Sequence, residues 1–254
     1  MLMDEELVLL NSQGFIPGPD ELEEVFVSRV AGIKGRGEKE GELPNAHWEW
    51  VRLHLQELFD FAPYCLPAFY SNRSLALWQG AASWIKDGKL VSIQLREALK
   101  KGSYFGYHRD EILAHEAVHA VRSAFNEPQA EEFFAFMASE KWWRRAFGPL
   151  VRRPIEVWVF FILATSAMFF PLGNLLVGLW MGAGVLRLFR LHRKMRSAAK
   201  ALIGIFRDPK RVRAVLLRLT DSEIGMFAEG EDVLAYAEKQ MCLRWRLIRL
   251  AYLD

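Results

Sequence analysis

Cysteine is scarce in this 254-residue chain: Cys65 and Cys242 are the only two, far apart and without a His or second Cys at ligand spacing. That excludes a disulfide framework and a zinc knuckle. A secretory signal is not expected at Met1-Leu2-Met3-Asp4-Glu5-Glu6, which is acidic and followed by an apolar run, Leu7 to Leu10, too short for an h-region. The bulk of the chain is therefore expected on the cytoplasmic side. There is no internal repeat and no low-complexity tract, and a hydrophobic content of 52% excludes disorder on a large scale. Net charge is nearly absent too, at +2, but that value hides an asymmetry: residues 1–140 carry 13 Lys and Arg against 22 Asp and Glu, and residues 141–254 carry 20 against 9. A basic half beside an apolar run suits anionic lipid headgroups. Nucleic acid is not expected as a partner, since no recognition motif or set of aromatic platforms is interleaved with the basic residues.

What is present is rich in aromatics, with 9 Trp and 18 Phe. The length allows one substantial domain or a modest catalytic domain with an attached module. Residues 1 to about 45, with turn signals at Gly14, Pro17-Gly18-Pro19 and Gly35 to Gly41 and a short strand-like or helical run, Val25-Phe26-Val27, between them, read as an irregular lead-in. From His47 to Phe61 the apolar positions fall at helical spacing until Pro63. Trp84 to Leu95 changes to two β-prone runs around Asp87-Gly88, a tight hairpin signal, so a small antiparallel sheet is expected. After a loop with two glycines and three aromatics, Gly102 to Tyr107, Asp110 is placed to cap a helix running to about Phe125, and a further helix is expected from Pro128 to Arg145.

The segment Ile155 to Leu186 is apolar for 32 positions apart from Glu156 and Asn174, with Thr165 and Ser166 inside it. Pro171-Leu172-Gly173-Asn174 divides it into two arms of about 15 residues, each reaching roughly 22 Å at 1.5 Å per residue. Arg144, Arg145, Arg152 and Arg153 precede it and Arg187, Arg190, Arg193, Lys194 and Arg196 follow it. Positive charge on both flanks favours a hairpin with both ends on the cytoplasmic face, ahead of a single kinked span or a buried core hairpin. The tail from His192 to Asp254 has helical periodicity, with helix starts at Asp208-Pro209 and at the capping box Thr220-Asp221-Ser222-Glu223.

The chemistry concentrates on His115-Glu116-Ala117-Val118-His119. Four residues of α-helix advance about 40° past one turn and about 6 Å along the axis, so both imidazoles project from one face and can ligate one metal ion. Glu116 then stands near the open side of that ion, where a carboxylate can take a proton from a water and return it to a leaving group. With 6 His in the chain, a chance match is expected on the order of once in a hundred such sequences.

This stretch resembles the HExxH motif of the zincin metallopeptidases. The metzincin continuation is missing, but Ala130-Glu131-Glu132-Phe133-Phe134-Ala135 resembles the gluzincin arrangement, in which a Glu on the next helix completes the site with a small residue three positions later. By that resemblance Glu132, followed by Ala135, is the expected third zinc ligand in preference to Glu131. It covers about 30 residues and implies a zincin-like domain; with the readings above, the expected class is α+β, a mainly helical zincin-like domain with a small antiparallel sheet over 1–150, a transmembrane or membrane-inserted helical hairpin over 151–190, and a basic helical region over 191–254. The implied activity is a zinc-dependent metallopeptidase (a hydrolase) with Zn2+ on His115, His119 and Glu132, Glu116 as general base, a peptide or protein substrate, and membrane lipid as neighbour. The alternatives are a catalytically inactive membrane adaptor and a zinc hydrolase of a non-peptide amide. Arg109, Asp110, Glu111 and Arg122 around the motif keep it out of the hydrocarbon, unlike the HExxH helix of an intramembrane protease.

Lesser expectations attach to neighbours. Tyr104, Tyr107 or His108 could supply an oxyanion donor, with packing as the plainer role. The strand Val91 to Leu95 could hold an extended substrate by edge pairing. Arg122 could orient a carboxylate, with an exposed helix arginine as the plainer reading, and His47, His54 and His192 have no partner at ligand spacing.

Overall fold

The computed structural model describes residues 2–36, 41–86, 89–150 and 154–253. It is mostly helical with a small sheet, consistent with the α+β class. The expected irregular lead-in instead contains α1 (Asp4–Ser12) and α2 (Glu23–Lys34), which bury Leu7, Leu10, Phe26, Val30 and Ile33. In both short helices the apolar residues run consecutively, Leu7 to Leu10 and Val25 to Val27, which weakens the helical periodic signal, and the Pro17-Gly18-Pro19 turn between them dominates the local composition. Gly18 is needed where this turn crosses the end of the motif helix, since a Cβ there would sit 2.7 Å from the carbonyl oxygen of Ala124.

A 3-10 turn, Asn45–Trp48, leads into α3 (Glu49–Phe59), close to the helix read from periodicity. The sheet has β1 (Ala68–Tyr70), β2 (Ala81–Lys86) and β3 (Lys89–Leu95) in the order β1-β3-β2. β2 and β3 form the expected antiparallel pair, with Ala81 opposite Leu95 and Lys86 opposite Lys89, while the Asp87-Gly88 turn lies outside the described residues. β1 adds in parallel to the other side of β3, with Ala68 opposite Ile93, so the sheet is mixed rather than wholly antiparallel. Three residues are too few to show period-2 alternation, which is why β1 left no mark in the sequence.

The glycine and aromatic loop is a second, minimal hairpin, β4 (Ser103–Tyr104) and β5 (Tyr107–His108). Its two turn residues, Phe105 and Gly106, both have positive φ, 46° and 76°, as a two-residue primed turn demands. The motif helix α4 spans Arg109–Arg122. Asp110 does not cap it: His108 holds that position, and Asp110 lies inside the first turn accepting from Arg109 at 2.7 Å. The helix expected over Pro128–Arg145 is broken into α5 (Pro128–Met137) and α6 (Trp142–Phe147). Between them the Ser139 hydroxyl donates to Glu111 and the His54 ring lies 2.9 Å from the Ala138 carbonyl, tertiary bonds that take the place of continued helix.

The apolar segment forms α7 (Pro154–Ala167) and α8 (Pro171–Phe206). They run antiparallel: Arg187 grips both oxygens of Glu156 at 3.0 and 2.9 Å, Phe160 meets Trp180 with ring centroids 5.7 Å apart, and Gly173 crosses Ala167 so closely that a Cβ would lie 2.5 Å from its Cα. α8 is long and apolar enough to cross a membrane, whereas α7 is a shorter apolar helix. The flanking Arg152 and Arg153 lie outside the described residues. Beyond Arg187 the same helix turns from exposed to buried, with Leu191, Met195, Ala198 and Leu202 inside the protein.

The tail folds as α9 (Pro209–Arg218), α10 (Asp221–Ala228), α11 (Val233–Lys239) and α12 (Leu243–Ile248), with a last π-helical turn at Arg249–Leu253. Asp208 caps α9 and both halves of the Thr220–Glu223 capping box are made. One hydrophobic cluster runs through Leu7, Val51, Val118, Phe134, Leu202 and Trp245, so residues after the apolar hairpin share a core with those before it.

Candidate metal centre

α4 lies against α3, α5 and the sheet, burying Leu113, Ala114, Ala117, Val118 and Val121. Its face toward α5 is where His115 and His119 emerge. α5 turns Ala135 and Ala138 inward, both fully buried, and side chains this small let the two helices pack closely. Glu131 and Glu132, on the first turns of α5, then face the two imidazoles.

His115, His119 and Glu132 offer one ligand atom each within 4.8 Å of one another. The two Nε2 atoms are 3.3 Å apart. Bonds of about 2.0 to 2.1 Å at a tetrahedral angle require ligand nitrogens at about 3.3 to 3.4 Å, so the imidazoles already stand at ligand separation. Glu132 places one oxygen 3.7 Å from His119 Nε2 and the other 4.0 Å from His115 Nε2. Glu131 sits elsewhere: its Oε1 is 2.6 Å from Nδ1 of His119. That bond fixes the ring with Nδ1 protonated and Nε2 turned to the shared point, as metal-ligating histidines are commonly held. The His115 ring donates in turn to the Ala135 carbonyl.

The electrostatics fit a cation at that point. Burial, and then the charge of His119, depress His115 to about 3. Burial would also depress His119, but the hydrogen bond from Glu131 and the charges of Glu132 and Glu116 outweigh it and hold this ring at about 9. Two imidazoles 3.3 Å apart cannot both be cationic, while three carboxylates crowd around them. A divalent ion on the two nitrogens and Glu132 meets both demands, and one neutral His pair with a carboxylate is a zinc donor set.

Glu116 is buried at 8% exposure on the sheet side of α4. Ser83 of β2 donates its hydroxyl to Oε2 at 2.7 Å. Burial raises the Glu116 carboxyl above its ordinary value, opposed by His119 and by the Ser83 hydroxyl and backbone. Ser83 was not singled out from the sequence. The signal lay in the period of β2, where a small polar residue interrupts an apolar run facing a helix.

Several sequence expectations change place. β3 is paired with β2 along its length and with β1 over Ile93–Leu95, so only Val91 and Ser92 of the expected strand stay outside the β1 pairing; β2, paired only with β3 among the described residues, carries the free edge beside Glu116. Arg122 is not exposed but fully buried, donating to the carbonyls of Leu217 and Leu219 and stacking 4.3 Å from the Phe125 ring. Burial lowers its guanidinium to about 10 despite Glu131, Asp221 and Glu127 nearby. Tyr104 and Tyr107 line the cavity beside the centre, but the Tyr104 hydroxyl donates to the Leu77 carbonyl at 2.5 Å and the Tyr107 ring lies 3.6 Å under the Arg144 guanidinium. His108 is exposed and does not line it. His47 contacts the Tyr70 hydroxyl at 3.3 Å and His192 the Ala146 carbonyl at 2.9 Å.

That cavity encloses about 330 Å³ next to His115, Glu116 and Glu132. Its walls are largely apolar, from Trp78, Ile112, Phe136 and the two tyrosines, and Val157 of α7 closes one side. Glu111 and Arg144, a buried ion pair, also face it. Comparison with protein-family models, with curated proteins and with solved structures finds no match to this chain.

Proposed function

We propose that the chain is a zinc-dependent metallopeptidase working at a membrane surface, with His115, His119 and Glu132 as ligands and Glu116 as general base. The observation that carries the reading is the division of labour between adjacent glutamates: Glu132 reaches the point shared by the two Nε2 atoms while Glu131 bonds the far nitrogen of His119. A solvated helix face has no reason to aim two carboxylates at two imidazoles in these separate ways.

When bound, zinc supplies Lewis acidity, acidifying a water and polarising a substrate carbonyl. Glu116, held by Ser83 and lining the same cavity as His115 and Glu132, would act as general base, taking a proton from the attacking water and passing it to the departing amine. The free edge of β2 next to Glu116 can align an extended peptide by backbone hydrogen bonds, and the apolar cavity receives one of its side chains. α8, one helix long and apolar enough to cross a membrane, attaches this machinery to the bilayer. Charge on both flanks of the hairpin favours the cytoplasmic face for the catalytic residues.

The test is cleavage of a broad peptide library by zinc-loaded protein and by Glu116→Gln. Cleavage that depends on zinc and on Glu116 supports the reading, and full activity in Glu116→Gln removes it. Non-peptide amides in the same assay separate the peptidase from an amide hydrolase.

A further inference from the structure

The cavity beside the metal centre and the membrane hairpin share a wall. Val157, in the first turn of α7, lines the cavity, and its neighbour Trp158 meets Trp78 of the opposite rim with ring centroids 5.4 Å apart. The apolar helix does not begin at a distance from the site; its first turn is part of it.

The rim continues this character. Phe105, which lines the cavity, is 73% exposed, Trp78 beside it 43%, and Trp158, in contact with Trp78, 52%. Single exposed apolar residues are ordinary, but a group of large ones around one cavity mouth, continuous with a membrane helix, is the pattern of a surface that meets lipid. Phe105 sharpens the point. It sits at the tip of the β4–β5 hairpin with φ of 46°, a conformation unfavourable for a bulky residue, its ring tilted 59° to that of Tyr104 with centroids 4.4 Å apart and open to the outside. Asn or Gly would relieve that backbone strain; Phe instead sets a large, mostly exposed apolar ring at the cavity.

We infer that the substrates are membrane-anchored polypeptides, cut at the bilayer surface, with an apolar side chain passing from the lipid boundary between Phe105 and the start of α7 into the cavity. This rests on the peptidase reading above. A soluble peptide would have to bring its apolar residue to a mouth covered by lipid, whereas a chain emerging from the bilayer beside α7 already has it there. Exclusion of water at such a mouth also strengthens electrostatics at the centre.

Two measurements separate this from the reading it rests on. In full-length protein with Cys65 and Cys242 replaced by Ser, an environment-sensitive fluorophore is placed at Phe105→Cys or, as a control on exposed α2, at Glu24→Cys, in phosphatidylcholine vesicles containing nitroxide lipid. Quenching of at least twofold at 105 and none at 24 is expected, whether or not zinc is loaded; equal, weak quenching at both overturns the inference. The zinc-loaded protein is then given one apolar peptide either free or fused to a transmembrane segment. At least tenfold faster cleavage of the anchored form is expected, reduced about tenfold by Val157→Trp with zinc content unchanged. Equal rates on both forms overturn the substrate class and leave the peptidase standing, while absence of any cleavage removes the peptidase reading and the substrate class together, with the quenching still reporting which face meets lipid.

Discussion

Nδ1 of His119 lies 2.6 Å from Oε1 of Glu131, the residue just before the third donor, Glu132. Consecutive residues on a helix point about 100° apart, so one of the pair reaches the metal point and the other reaches around the ring to its far nitrogen. Removing the second interaction without removing a ligand is possible with Glu131→Ala, which leaves no acceptor for Nδ1. Zinc affinity is expected to fall by about 10- to 100-fold, with circular dichroism unchanged. Glu132→Gln should cost more, and competition against a chelator of known affinity ranks the two; equal loss would mean that their roles are not divided.

Glu116→Gln should retain zinc and lose turnover by at least a hundredfold, since proton transfer by a positioned group contributes about 10²- to 10⁴-fold. Zinc analysis and initial rates on the same preparation check it. Ser83→Ala removes a 2.7 Å bond to the same carboxylate and should slow turnover by about tenfold with zinc content unchanged.

The HExxH spacing and the helix that carries it were legible because a helix has a fixed period and two side chains four residues apart must share a face; Glu132 was suggested only by the gluzincin resemblance. The role of Glu131 was not, since one helical step decides it and only the packing of α5 on α4 sets the phase. Ser83 and Val157 lie 32 residues before and 42 after His115, and nothing local marks either as a neighbour of the centre. α1 and α2 were missed because their helicity comes from burial of Leu7, Leu10, Phe26 and Val30 in the shared core rather than from a strong pattern of their own. The long apolar segment was plain, yet that α8 continues past Arg187 into that core was concealed by the basic residues covering its outer face.

Acid should loosen the C-terminal helices first. Burial alone would raise Glu223, but hydrogen bonds and charge from Arg244, with the Thr220 amide and the Trp245 indole, hold its carboxyl below the ordinary value of 4.5. A depressed carboxyl stabilises the fold fully above its unfolded value, and that contribution is lost as pH falls through the folded one, so the decline belongs below about pH 4.5. Glu223→Gln, which leaves Arg244 buried and unpaired, should cost about 3–5 kcal/mol at neutral pH and flatten the acid limb. Urea midpoints between pH 3 and 7 for both proteins test this.

Replacing 155–186 by a short flexible linker removes mostly exposed apolar residues and leaves Leu191, Met195 and Leu202 to close the core. The shortened protein should leave the membrane fraction while keeping its zinc, read by fractionation and metal analysis. Unchanged fractionation would assign attachment to another surface.

The most direct test of the central claim is an equilibrium zinc titration of purified wild-type protein beside His119→Ala. One zinc per chain bound tightly by the wild type, and at least a thousandfold more weakly by His119→Ala, is the expected result. Folded wild-type protein that takes up no zinc, or a variant that binds it equally well, would contradict the metal centre and the activity built on it.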